Sequence, residues 1–168
     1  MSTRSIIALK TGENRCLAAR CHYDGYPENN GAILLAAYNT EERVRALLAL
    51  GELESLGPEL GEKHDRSDKE HPDWCFAYGR DGGEKNTAAR DRTITGLQGE
   101  RVSYIYLFDQ GTWLISRDAR VFSPLAEHPA LPKPEAIAEG EAPPAKNGGG
   151  EISGLAPAAD NGGASHGD

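Results

Sequence analysis

The sequence has few of the features that mark secreted or membrane proteins. It contains only three cysteines, Cys16, Cys21 and Cys75, and this small, odd number favours a reducing cytoplasm over a disulfide framework. No apolar run approaches the roughly 20 residues of a membrane-spanning helix. The apolar stretch near the start, residues 6–9, is too short for the core of a signal peptide. We therefore expect a soluble cytoplasmic protein with no membrane partner.

Aromatic residues are missing from the last quarter of the chain, since all eleven lie at or before Phe122. Ala, Gly and Pro make up 24 of the 43 residues from Ala126 to Asp168. Such a segment cannot bury enough apolar area to offset the entropy cost of ordering. The composition predicts one domain at residues 1–125 and a disordered acidic tail at residues 126–168.

Positive charge is also scarce. Of the formal net charge of −8, −5 falls on residues 126–168 and −3 on residues 1–125. Binding to duplex DNA depends on neutralising several phosphates with Lys and Arg, so we expect no affinity for duplex DNA. A mildly acidic domain can still hold a local basic pocket for a small anion.

Compact metal and catalytic motifs are absent from the sequence. His64, His71 and the cysteines do not occur at Cys-x-x-Cys or His-Glu-x-x-His spacing, so no metal and no cofactor is indicated. His22 and Asp24 could form a base–orienter pair, but no nucleophile can be assigned to it. We assign no catalytic residue, and a protein that is not an enzyme is the favoured interpretation.

The pattern of strands, turns and helix caps predicts an α+β fold. We expect an antiparallel sheet of about four to six strands with two short helices packed on it. Asn30 and Thr40 are the expected helix caps, and Gly51 is expected to end the second helix. The strand of residues 15–23 should place His22 beside Arg20, away from the core face. The predicted strands are residues 5–9, 15–23, 74–78, 102–108 and 112–116.

The segment 74–86 joins alternating aromatic residues to a glycine turn that carries cations. Rings next to cationic groups suit a nucleotide, with the glycine amides and arginines meeting its phosphate. An ordinary alternative is that the rings are core and the turn is solvated. The candidate ligand-binding residues here are Trp74, Phe76, Tyr78, Arg80, Gly82, Gly83, Lys85, Asn86 and Arg101, with Arg90 and Arg92 as further phosphate partners.

A second candidate loop lies at residues 22–28, where a strand meets a helix. His22, Asp24 and Tyr26 are its candidate ligand contacts, since such junctions commonly carry binding residues. The alternative is a turn that satisfies its own hydrogen bonds. Whether the loops at 24–30 and 79–86 meet is left open. A site completed by a second copy of the chain is also open, because a domain this small has little room for a deep pocket.

Several short motifs resemble those of a family of small phage and prophage proteins. They are STRS at residues 2–5, CHYDGYPE at 21–28, YNTE at 38–41, LGEKHD at 60–65 and AYGRD at 77–81. The resemblance covers roughly residues 1–115. It implies a phage or prophage origin, and hence the cytoplasm of a host cell. Small phage proteins of this size and class include proteins that sequester nucleotide signals of host immunity.

The sequence is therefore compatible with three functions. The first is sequestration of a small anionic, nucleotide-like ligand, which would counteract host defence. The second is an interaction module that acts on a host protein. The third is a small metal-dependent phosphodiesterase that uses His22 and the acids around it.

Overall fold

The computed structural model describes residues 2–133. A compact unit runs to Leu131, past the boundary expected at Leu125. The extra residues form a turn in which the Leu131 amide donates to the His128 carbonyl oxygen at 3.0 Å, and Leu131 packs against the core. The predicted disorder of the tail from residue 134 onward lies outside the described residues.

A mixed eight-stranded sheet forms the centre of the fold, in the order β4-β3-β2-β1-β6-β7-β8, with β5 paired to β2. The α+β class is confirmed. The sheet is larger than expected and not purely antiparallel, because β1 runs parallel to β6 and β2 runs parallel to β3. The strands are β1 Ser5–Gly12, β2 Arg15–Cys21, β3 Leu53–Ser55, β4 Phe76–Ala77, β5 Arg90–Thr93, β6 Tyr104–Asp109, β7 Thr112–Ser116 and β8 Ser123–Pro124.

The two predicted hairpins, β1–β2 and β6–β7, are confirmed. The second turns through Gln110 and Gly111, both with positive φ (49° and 85°). Two consecutive positive φ angles are what a two-residue hairpin loop needs to follow the twist of its strands. Trp113 in β7 is 3% exposed, and its Nε1 donates to the Tyr38 carbonyl oxygen at 2.7 Å.

Two short helices pack on one face of the sheet, α1 at Ala32–Ala37 and α2 at Glu41–Ala49. Thr40 caps α2 as predicted, since its hydroxyl accepts a hydrogen bond from the Arg43 amide at 3.2 Å. Asn30 is not a cap. It lies in the π-helical turn Pro27–Gly31 that precedes α1, and its side chain is buried. Among residues 2–133 no helix has both the length and the apolarity needed to cross a membrane.

The sheet separates two apolar clusters, so its central strands are buried on both faces. On the helix side, Ile7 and Leu9 of β1 pack with Tyr106 and Phe108 of β6. On the other side, Leu97 from the 3-10 turn Thr95–Gly99 covers the alternate residues of the same strands. This explains why residues 104–108 are apolar at every position, as expected for a central strand.

Strand β2 forks, and this fork positions the candidate site. Residues Arg15 to Ala18 pair with β5, whereas Cys21 pairs with β3. The sequence did not predict β5, because Arg-Asp-Arg-Thr has no apolar alternation. Residues 53–60 were expected to be irregular, but β3 pairs with both β2 and β4.

Candidate functional site

A cavity of about 190 Å³ opens at the fork, where β5 has left β2 and β3 has not yet joined it. Ile6 and Ala18 give its lining an apolar part, and charged side chains make up most of the rest. The lining residues are Ile6, Ala18, Ala19, Arg20, Glu52, Arg90, Arg92 and Glu100.

A second cavity of about 140 Å³ shares Arg20 and Glu52 with the first. We call the two cavities together the Arg20 groove. Each is smaller than the roughly 300 Å³ of a typical enclosed small-molecule site, so a ligand here would span both or remain partly exposed. The lining of the second cavity is Arg4, Arg20, Cys21, His22, Glu52, Leu53 and Tyr78.

Glu100 holds two arginines at the groove. One carboxylate oxygen accepts from Arg20, and the other lies 2.9 Å from Nη1 of Arg92. Burial by itself would raise the pKa of Glu100, but the hydrogen bonds from Arg20 and Arg92 outweigh it and lower the pKa below its usual value. Glu100 therefore stays ionised, and it holds the guanidinium groups of Arg20 and Arg92 at the groove.

The groove arginines retain N–H groups for a ligand. Among the hydrogen bonds of residues 2–133, Arg20 donates to Glu100 alone, and a guanidinium carries five N–H groups. Arg92 also donates to the Gly96 carbonyl oxygen at 3.1 Å, and Arg90 to that of Asn86 at 3.4 Å. Four arginines, including Arg4, face two glutamates across the groove. This excess of positive charge suits an anion, and guanidinium groups can bind phosphate with two parallel hydrogen bonds.

Two rings lie at the end of the groove away from β5. Tyr78 and His22 line the second cavity together, and His22 lies beside Arg20 as the alternation of β2 predicts. The His22 ring meets Tyr23 edge to face, with centroids 4.4 Å apart. Burial, followed by the charges of Glu54 and Glu84, raises the pKa of Tyr78, so its phenol stays protonated at neutral pH. The residues just before the two candidate loops, His22 and Tyr78, therefore line one cavity, whereas no residue of loops 24–30 and 79–86 lines it.

Arg80 does not contact the groove, contrary to the expected phosphate contact. Its guanidinium donates to the carbonyl oxygens of Leu60 and Gly61 (2.9 and 3.0 Å) and of Cys75 (2.8 Å). It also pairs with Asp81, whose side chain is fully buried. These donors tie the segment after Gly57 to β4, so Arg80 has a structural role.

The glycine turn does not form the expected anion nest either. The amide of Gly82 donates to the Ala77 carbonyl oxygen at 3.3 Å, and that of Gly83 donates to Gly79 at 3.2 Å. Lys85 and Asn86 are exposed, and neither lines the Arg20 groove. Because the amides are already paired within the turn, the interpretation as an ordinary solvated turn describes this segment.

The three aromatic rings of the segment 74–78, Trp74, Phe76 and Tyr78, lie in different environments. Phe76 is 6% exposed and lies under Arg66, whose guanidinium carbon is 4.8 Å from the ring centroid. Trp74 is half-buried and stacked on His71, with centroids 3.8 Å apart. Of the three rings, only that of Tyr78 lines the groove, so the expected three-ring stacking surface does not form.

The loop after His22 is held by its own hydrogen bonds. The Asp24 carbonyl oxygen accepts from the Asn29 side chain at 3.2 Å, and that of Gly25 accepts from the Tyr106 hydroxyl at 2.7 Å. The side chains of Asp24 and Tyr26 point outward and do not line the groove. Of this loop only His22 lines it, and Arg101 is exposed outside it.

Sequence reasoning missed several groove residues. Arg4, Arg20, Glu52 and Glu100 occur at wide spacing and belong to no motif. Arg20 and Glu100 are 80 residues apart, and they meet only because β2 is paired while the chain after β5 folds back over the sheet. The available signal was the polar pair Arg20 and His22, which follows the apolar residues Cys16 and Ala18 on one face of the strand.

The cysteines and histidines form no metal site within the described residues. Among residues 2–133 no group of three or more His, Cys, Asp or Glu side chains is placed to hold a metal ion. All three thiols are buried, and burial raises the pKa of Cys21 to about 12. A thiol with so high a pKa is a weak nucleophile.

Comparison of the chain with protein-family models, with curated proteins and with solved structures finds no match. The function proposed for this chain therefore rests on the chemistry of the Arg20 groove.

Proposed function

We propose that the protein binds a small anionic, nucleotide-like ligand in the Arg20 groove and carries out no reaction on it. The observation that carries the proposal is the convergence of four arginines on one groove, two of them held by a single glutamate. A guanidinium that is already fixed loses little entropy when a phosphate binds. Glu100 therefore prepares Arg20 and Arg92 for an anion.

The rest of the groove suits the organic part of a nucleotide. His22 and Tyr78 offer flat rings, and any of the nucleotide bases can stack on such a ring. Both rings line the second cavity, and Arg90 and Arg92 line the first. A nucleotide that spans both cavities can therefore place its base against the rings and its phosphate against the arginines of the first cavity.

Sequestration is the mode of action that we propose. The resemblance to phage and prophage proteins supports a role in withdrawing a nucleotide signal of host defence from its receptor. Such a role needs affinity and abundance, but no catalytic group.

The second candidate is contact with a host protein through the loop after His22. Its support is the exposure of two large side chains on one tight loop, Tyr23 at 44% and Tyr26 at 38%. Tyrosine is enriched at protein interfaces, because it combines a large apolar ring with a hydroxyl. Because hydrogen bonds fix the backbone of this loop, a partner can contact both rings without first ordering that backbone.

The test is isothermal titration calorimetry against nucleoside mono- and triphosphates and cyclic nucleotides, chosen after a thermal-shift screen. Removing a charge-assisted contact typically costs about 1.5–3 kcal/mol, so Arg20→Ala and Arg90→Ala should each weaken binding roughly 10- to 100-fold. Arg45→Ala is the matched control, because Arg45 is an exposed arginine paired with Glu41 on α2. Duplex DNA should not bind near physiological salt.

Two results would overturn the proposal. One is the failure of every nucleotide to bind the wild-type chain. The other is binding that Arg20→Ala and Arg90→Ala leave as strong as Arg45→Ala does. In either case the loop carrying Tyr23 and Tyr26 becomes the leading functional surface.

A further inference from the structure

Glu52 is the carboxylate at the centre of the Arg20 groove, since it lines both cavities. Its backbone is fixed on both sides. Its amide donates to the Thr87 carbonyl oxygen at 2.7 Å, and its carbonyl oxygen accepts from the Tyr78 amide at 3.1 Å. The Glu52 side chain therefore has a defined starting point next to the ring of Tyr78.

The carboxylate of Glu52 differs from neighbouring carboxylates in its contacts. Glu100 binds Arg20 and Arg92, and Glu54, two residues along, is held by Arg66 with three hydrogen bonds of 2.7–3.1 Å. Within residues 2–133 Glu52 makes no side-chain hydrogen bond or ion pair of this kind. An ionised carboxylate accepts hydrogen bonds only, so Glu52 offers two acceptor oxygens to whatever enters the groove.

A carboxylate that holds no arginine, unlike Glu100, weakens the binding of phosphate alone in such a groove. The presence of the Glu52 carboxylate is favourable only if the ligand also brings donors to that position. Among the common bases, guanine carries N1–H and the N2 amino group side by side on one edge. Two parallel donors match the two oxygens of a carboxylate, in the same way that a guanidinium does.

We propose that Glu52 makes the groove selective for guanine nucleotides, an inference that rests on the proposed function. The guanine ring stacks on Tyr78, and Glu52 accepts hydrogen bonds from N1–H and the N2 amino group. The phosphate lies on the other side of Glu52, against Arg20 and Arg90. Adenine is rejected, because its N1 is an acceptor and would face the carboxylate oxygen.

The selectivity follows from hydrogen-bond chemistry and so has a predictable size. A site that bonds a donor discriminates against an analogue that lacks it, because the acceptor is then left unpaired, and Glu52 is half-buried, so part of this cost is relieved by water. Guanosine monophosphate should bind about 10- to 100-fold more tightly than adenosine monophosphate. Inosine monophosphate keeps N1–H and loses the amino group, so it should fall between the two.

The experiment is calorimetric titration of the full chain with the three 5′-monophosphates, which share one phosphate and one sugar. Glu52→Gln keeps the shape of the side chain and should lower the affinity for guanosine monophosphate about 10- to 100-fold. The affinity of the Glu52→Gln variant for adenosine monophosphate should equal or exceed that of the wild type. Glu13→Gln removes the same charge from an exposed position in the β1–β2 turn and should change neither affinity.

The outcomes separate this inference from the proposed function. Equal binding of the three nucleotides, sensitive to Arg20→Ala but not to Glu52→Gln, overturns the guanine inference and leaves the anion site in place. Tighter binding of adenosine monophosphate than of guanosine monophosphate also overturns the guanine inference and leaves the anion site in place. No binding of any of the three at millimolar concentration overturns the guanine inference, and the proposed function falls with it only if triphosphates and cyclic nucleotides also fail to bind.

Discussion

Arg80 and Asp81 are neighbours in the sequence, and their side chains form a two-point ion pair. Nε of Arg80 lies 2.8 Å from Oδ1 of Asp81, and Nη2 lies 3.0 Å from Oδ2. The same carboxylate accepts from the Ala77 amide at 2.8 Å and from the His64 amide at 3.2 Å. This pair joins the segment around His64 to β4, which has only two residues of its own to hold it in the sheet.

The first prediction is that Arg80→Ala destabilises the fold. The substitution removes two of the four hydrogen bonds to the buried Asp81 carboxylate and the side-chain donor of three backbone carbonyl groups. Breaking a buried pair in this way typically costs about 3–5 kcal/mol. Urea unfolding followed by tryptophan fluorescence measures it, and Lys85→Ala, a cation removed from the exposed part of the same turn, is the control. A loss below about 1 kcal/mol would mean that Arg80 is dispensable for folding.

The second prediction concerns acid unfolding and Asp81. Burial would raise the pKa of Asp81, but hydrogen bonds from Arg80 and from the amides of Ala77 and His64 lower it below its ordinary value of 3.8. A folded-state pKa below the unfolded one means that the ionised group stabilises the fold above about pH 4. That contribution is lost as the pH falls through the folded-state pKa.

Asp81→Asn provides the measurement of this effect. The stability difference between wild type and Asp81→Asn should be largest near neutral pH and shrink below about pH 4. Urea unfolding at a series of pH values from neutral to acid gives the comparison. A difference that stays constant over the whole series would show that ionisation of Asp81 contributes nothing.

The third prediction is that Gly25 cannot carry a side chain. A Cβ atom placed there would lie 2.7 Å from the Thr3 carbonyl oxygen and 2.8 Å from Cβ of Ser5, both closer than packed atoms approach. Gly25→Ala should therefore cost about 1–3 kcal/mol through overpacking. Gly99→Ala is the matched control, because a Cβ at Gly99 meets no atom within 4 Å. Equal melting temperatures for the two variants would contradict the close approach seen here.

The fourth prediction compares two shortened chains, one ending at Leu131 and one ending at Leu125. Both should fold, since the shorter chain keeps every strand and both helices. The shorter chain loses Leu131, which packs against the core, and the turn that follows Leu125. Burying part of a leucine side chain is worth about 1–2 kcal/mol, so the chain ending at Leu125 should be less stable by that amount. Thermal melts of the two would show no difference if Leu131 contributes nothing.

Two charged residues, Arg80 and Arg20, show what local sequence pattern does not predict. Arg80 stands in an arginine–glycine turn, a pattern typical of anion binding, yet its donors are taken by Asp81 and by carbonyl groups outside the turn, those of Leu60, Gly61 and Cys75. Arg20 stands on a strand with no motif around it, yet it lies at the centre of the groove. Local pattern records which residue types are close in sequence, whereas a donor is free or occupied according to what the fold places beside it.

The sequence by itself determined the α+β class, both hairpins, the Thr40 cap and the burial of residues 105–108 on both faces. These depend on side-chain alternation and turn chemistry, which act over a few residues. The tertiary structure decided the parallel pairings, the fork in β2 and the Arg20 groove. Those features join segments that are 32 (Cys21 and Leu53) to 99 (Ser5 and Tyr104) residues apart and carry no mutual signal. The groove lies over the inner strands β1 and β2, at the point where the pairing partner of β2 changes from β5 to β3.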